Sequence, residues 1–166
     1  MLSNLMFQTL LNRQSTPKGF TLIEIVIVLG IASILMAVGF SAFTSYRKSE
    51  SLSKDTDLVV SVLQQARSQT LTGKNATAYG VHFESGAVTL FTGSAYTAGA
   101  SSNQRYPLSS DITLTTNIEG GGSNVIFERI TGETDHYGTS AIRLTSTTLA
   151  STTIRVYQTG IIEKVQ

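Results

Sequence analysis

The chain has 166 residues, enough for one domain and an appendage, with 12 basic against 11 acidic side chains. Near-balanced charge gives no strong pull on nucleic acid. There is no cysteine, which excludes a disulfide framework, a thiolate nucleophile and a cysteine metal site but leaves the compartment open.

Residues 1–19 are polar, lack a periodic pattern and carry Arg13, Pro17 and Lys18 near their end, so they read as a leader. Leu22 to Phe43 is then a run of 22 residues in which only Glu24 is charged. A bilayer core takes roughly 20 apolar residues as a helix, so this run is long enough to span. It is longer than a secretory h-region and has an acid near its start, which argues against an ordinary signal peptide. An uncleaved signal anchor is the alternative. Arg13 and Lys18 precede the run and Arg47 and Lys48 follow it, so basic residues alone do not set its orientation.

Leu22 to about Thr72 reads as one helix, on the order of 75 Å long at 1.5 Å per residue. Gly30 and Gly39 interrupt the apolar part, but no proline does. Leu58, Val59, Val62, Leu63, Ala66, Thr70 and Leu71 recur at steps of three and four and define one face. Glu50 and Lys54 have the favourable i,i+4 order, and Gly73 is a good stop. A free coiled coil is the alternative for this second half. It is disfavoured because the stripe is confined to residues 58–71 and strand-forming sequence follows at once.

From Ala76 the period becomes two. Tyr79, Val81 and Phe83 alternate with Gly80 and His82, which places His82 on a polar face. Glu84-Ser85-Gly86 is a tight turn, and Ala87–Thr92 returns. Residues 93–110 read as a Gly/Ser/Ala/Asn loop containing Pro107. Strands are expected at 111–116, 124–128, 140–145, 152–158 and 161–165, with a turn at 118–123. Thr159-Gly160 reads as a two-residue hairpin turn. About seven short strands with hairpin connections imply an antiparallel sheet, whose apolar side the second half of the helix covers. The expected fold class is α+β. Its parts are a leader over 1–19, a long helix over 20–73 with an apolar span at 22–43, and a β domain over 74–166.

Candidate chemistry is sparse. An ionisable group in lipid needs a partner. If the chain is cut after Gly19, the new α-amine of Phe20 lies about one helical turn from Glu24 and could pair with it within one chain or between neighbours. A hydrated interfacial carboxylate is the alternative. Asp135-His136 and His82 lack the third partner of a catalytic triad, and two isolated histidines do not make a zinc site. Gly120-Gly121-Gly122 leads into a strand without the Lys-Ser/Thr of a phosphate loop. The acidic loop at 131–135 does not match calcium-loop spacing. Arg129, Arg143 and Arg155, with Lys164, are interleaved with Glu128, Glu133 and Glu163, which gives no basic-aromatic stripe. No catalytic residue, metal site or cofactor is assigned, and neither a membrane-anchored enzyme nor nucleic-acid binding is favoured.

Lys18-Gly19-Phe20-Thr21-Leu22-Ile23-Glu24, followed by Ile25-Val26-Ile27-Val28-Leu29-Gly30-Ile31, closely resembles the signal of type IV pilins and type II secretion pseudopilins. The resemblance implies cleavage between Gly19 and Phe20 by prepilin peptidase, N-methylation of Phe20, and use of Glu24 as the contact that docks a subunit into a filament. Further along, Leu63-Gln64-Gln65-Ala66-Arg67-Ser68 is similar to the helix end of H-type (FimT-like) minor pseudopilins. Val125-Ile126-Phe127, Ile142-Arg143-Leu144 and residues 154–162 are similar to their C-terminal strands. Ser41 stands where many major pilins carry proline. The cysteine pair of many major pilins, the acidic calcium loop of major pseudopilins and the arginine-rich tail of some DNA-binding relatives have no counterpart. The implied protein is a minor, non-enzymatic structural subunit of a pilus or secretion pseudopilus. It would be made as a single-pass inner-membrane precursor in contact with lipid, then moved into a periplasmic or extracellular filament. Its implied partners are prepilin peptidase, other pilin or pseudopilin subunits and an inner-membrane assembly platform. A DNA- or surface-binding minor pilin is the alternative.

Overall fold

The computed structural model describes residues 19–120, 122–146 and 150–165. Apart from Gly19, the expected leader lies outside them. The chain divides into two compact units, one ending at Ala42 and one beginning at Phe43. A single helix, α1 (Leu22–Leu71), contributes to both.

In the first unit the apolar side chains of α1 are exposed, including Leu22, Ile23, Leu35 and Phe40. A Cβ added at Gly30 or Gly39 would meet nothing. Ser33 donates its hydroxyl to the Leu29 carbonyl at 2.7 Å, which satisfies a polar group on a largely hydrocarbon surface. Among the described residues, α1 is the one helix long and apolar enough to cross a membrane, by length and composition.

In the second unit α1 buries Leu52, Asp55, Thr56, Val59, Val62, Leu63, Ala66 and Thr70. These steps of three and four make one helical face. The face starts earlier than the expected stripe at 58–71 because two polar residues, Asp55 and Thr56, belong to it. Leu58 is only partly buried and Leu71 is 41% exposed. Thr56 satisfies its hydroxyl on the Leu52 carbonyl at 2.7 Å. Asp55 accepts the Ser109 amide N–H at 2.7 Å and so ties the turn before a later strand to the helix. The helix ends in a left-handed Gly73, at φ 64°.

Eight strands follow where about seven were expected, in two antiparallel sheets where one was expected. They are β1 (Tyr79–Glu84), β2 (Ala87–Thr92), β3 (Gln104–Pro107), β4 (Ile112–Ile118), β5 (Asn124–Phe127), β6 (Gly138–Leu144), β7 (Ser151–Val156) and β8 (Ile162–Val165). One sheet runs β3-β2-β1-β5 and the other β4-β6-β7-β8. The additional strand is β3, inside the expected loop at 93–110. Tyr106 pairs with Val88 and Gln104 with Leu90, and Pro107 is tolerated because β3 is a short edge strand. The Thr159-Gly160 turn also differs from expectation. Tyr157 N–H reaches the Ile161 carbonyl at 2.9 Å, and Gly160 N–H reaches the Tyr157 carbonyl at 2.8 Å. The loop therefore holds three residues, with Gly160 left-handed at φ 75°.

Inward residues of both sheets meet the helix in one core. Val81, Phe83, Leu90, Val125 and Phe127 come from the first sheet, and Ile112, Leu114, Ile142, Ile154 and Val156 from the second. Arg67 fastens the helix to two turns at once. Its Nε donates to the Gly132 carbonyl at 3.3 Å and its Nη2 to the Thr159 carbonyl at 3.5 Å. Glycine is needed at the junction, because a Cβ at Gly160 would sit 1.9 Å from the Gly132 oxygen.

Candidate assembly site

The N-terminal end of α1 brings the expected site residues together. Gly19 and Phe20 are exposed and precede the helix. Thr21 caps it: the Glu24 N–H donates to Thr21 Oγ1 at 3.3 Å, and the Ile25 N–H to the Thr21 carbonyl at 3.3 Å. A threonine oxygen here satisfies one of the four donors a helix N-terminus leaves open. Sequence reasoning passed over Thr21 as a functional residue. The signal was present, since Thr-x-x-Glu before an apolar run is a capping-box pattern.

Glu24 falls in the first turn of α1. A carboxylate is favoured there by the partial positive charge of the helix end. Among the described residues it forms no ion pair. Phe20, Glu24, Ile25, Val28 and Leu29 line a shallow groove of about 290 Å³. This surface is a hydrocarbon ridge carrying one unmatched carboxylate a turn from residue 20. It suits packing against another apolar helix that brings a cation.

The other candidates stay apart. His82 is not on a bare polar face. Its ring stacks on Tyr96 at 3.8 Å between centroids and 7° between planes, and Nδ1 lies 2.7 Å from Asn124 Oδ1. Tyr96 also meets Phe91 edge-on at 5.6 Å, so the β2–β3 loop folds back over the outer face of its sheet. The His136 amide N–H donates to Thr134 Oγ1 at 3.0 Å, and Asp135 is exposed. Among the described residues no three histidine, aspartate or glutamate side chains gather to hold a metal. Arg143 and Arg155 share the outer face of the second sheet, but Arg155 pairs with Thr139, four positions from Arg143. That separation is about 13 Å of strand. Glu163 stands opposite Arg155, so no continuous basic track forms.

Residues 15–40 match the prokaryotic N-terminal methylation motif. The fold is similar to that of the type IV minor pilin FimU of Pseudomonas aeruginosa, at 15% identity over 69% of this chain and 93% of that one, with a TM-score of 0.54. It is likewise similar to the minor pseudopilin EpsH from the type 2 secretion system of Vibrio cholerae, at 10% identity over 69% of this chain and 95% of that one, again with a TM-score of 0.54. The chain has a pilin fold. A second crystal form of FimU agrees, at 16% identity over 73% of this chain and 90% of that one, with a TM-score of 0.52. No curated protein matches the chain significantly. Within this pilin fold, the methylation motif covers the cap, the groove and the unmatched carboxylate.

Proposed function

We propose that the protein is a minor structural subunit of a type IV pilus or a type II secretion pseudopilus, nearest in kind to the H-type (FimT-like) pseudopilins. The observation that carries this reading is a methylation motif at residues 15–40 on a helix whose second half forms the core of a pilin-fold domain. In this reading residues 1–19 are a leader that prepilin peptidase removes between Gly19 and Phe20. Phe20 is then N-methylated. The segment 22–43 crosses the inner membrane once until the assembly platform transfers the subunit to a periplasmic or extracellular filament.

Function then consists of packing. In a bilayer, the exposed side chains of Leu22–Phe43 are solvated by lipid; in a filament, the same surface is covered by helices of neighbouring subunits. Glu24 gives this exchange its specificity, because a carboxylate among hydrocarbon is costly until it meets the amine of a neighbour's Phe20. Mass spectrometry of the protein from its native cells tests the reading. A mature chain beginning at methylated Phe20 is expected, and any other mature N-terminus overturns it.

A further inference from the structure

The second unit carries an open sheet edge beside a groove. Tyr157 N–H bonds the Ile161 carbonyl, and β7 and β8 pair from Val156↔Ile162 to Thr153↔Val165. In an antiparallel ladder the bonding direction alternates. Glu163 and Val165 therefore bond to β7, while the N–H and C=O groups of Ile162 and Lys164 point away from it. Among the described residues no backbone partner meets those four groups.

Between this edge and the helix lies a groove of about 470 Å³, lined by Gln64, Arg67, Leu71, Gly160, Ile161 and Ile162 among others. Two of its aliphatic walls are exposed, Leu71 at 41% and Ile161 at 56%. Arg67 is its one charged lining residue. That guanidinium bonds to the Gly132 and Thr159 carbonyls and, among the described residues, has no carboxylate partner.

Lys164, the one basic residue of β8, is turned to the helix, with its ammonium 3.1 Å from Asp57 Oδ1. Open backbone groups, an aliphatic wall and an uncompensated cation match a strand that brings a carboxylate and an aliphatic side chain.

We infer that the open edge of β8 is an interaction surface, taking by strand addition an extended segment of a neighbouring filament subunit that places a carboxylate against Arg67 and an aliphatic side chain against Leu71. A second copy pairing β8 to β8 about Glu163 is the poorer occupant, because it sets two glutamates directly opposite each other. Only the source of the strand rests on the filament reading.

The test is residue-resolved amide hydrogen exchange on the full chain in detergent micelles, with the synthetic peptide Thr-Glu-Thr-Val-Thr as probe. Saturating peptide should slow exchange at the Ile162 and Lys164 amides about tenfold or more and leave Glu163 and Val165 as they were. The analogue with lysine in place of glutamate should have no such effect. Unchanged exchange with the acidic peptide overturns the proposal, as does equal protection by the lysine analogue. In isolated filaments that contain the chain, the same two amides should be protected; free exchange there refutes the proposal without touching the filament reading. Absence of the chain from filaments refutes that reading instead and leaves the peptide result to decide the edge.

Discussion

The amide N–H of Tyr79 donates to the hydroxyl oxygen of Thr70 at 3.0 Å, while the same hydroxyl donates to the Ala66 carbonyl at 2.9 Å. One buried side chain thus closes the last turn of α1 and starts the first strand. Thr70→Val keeps the shape and removes the acceptor, leaving a buried N–H unpaired at a cost of about 1–3 kcal/mol. Thr56→Val is the contrast, because the Thr56 hydroxyl serves only the Leu52 carbonyl; it should cost well under half as much. Thermal unfolding of the full chain in detergent compares the two. Equal losses would show that the bond to Tyr79 contributes nothing.

Gly80 permits another close approach. A Cβ there would lie 2.5 Å from the Phe91 ring and 2.7 Å from the Val125 carbonyl oxygen. Gly80→Ala should destabilise by about 1–3 kcal/mol through overpacking. Phe91→Leu in the same chain should recover part of this loss, since the ring is the nearer obstacle and the carbonyl remains. The readout is the double-mutant cycle, and strict additivity would exclude the steric explanation.

Asp55 and Asp57 are two residues apart and make opposite predictions. Asp55 is 3% exposed and holds the Ser109 N–H. Asp55→Ala removes a hydrogen bond from a half-buried N–H to a buried carboxylate and should cost about 1.5–3 kcal/mol. The Asp57 side chain is 66% exposed in its pair with Lys164, so Asp57→Ala should cost at most about 1 kcal/mol. Denaturant midpoints of the two variants check the ordering.

At the other end of the helix, Glu24→Ala should leave membrane insertion and removal of the leader intact but reduce recovery of the subunit in sheared filaments. Normal incorporation would remove Glu24 from the assembly contact. Thr21→Ala should speed amide exchange at Glu24 by loss of a cap of about 1 kcal/mol, and Thr21→Ser should restore it.

Most of the helix was legible because its signals are local. Gly73 marked the stop, and Leu22–Phe43 stood out by the near absence of charge. The buried face was read short at its start because Asp55 and Thr56 are polar, and their partners at Ser109 and Leu52 cannot be seen in a hydropathy pattern. β3 was missed for a related reason. Gln104–Pro107 has little strand character of its own and is held by its register with β2. The division of the strands into two sheets is a matter of non-local pairing, which no local pattern encodes. At the candidate site, Glu24 stood out as the one charge in an apolar run and Phe20 followed from the resemblance to the pilin signal, while Thr21 needed attention to the helix end rather than to the charge.

Asp57 and Lys164 are 107 residues apart in the chain. At about 5–20 residues per second, a ribosome takes about 5–20 s to travel between them. Through most of that interval the aliphatic face of α1 has been made and the last strand of the sheets that bury it has not. The nascent chain therefore presents Val59, Val62 and Leu63 to any chaperone or protease that meets it before β8 arrives, and mutations that slow β8 docking should be read first as losses of yield.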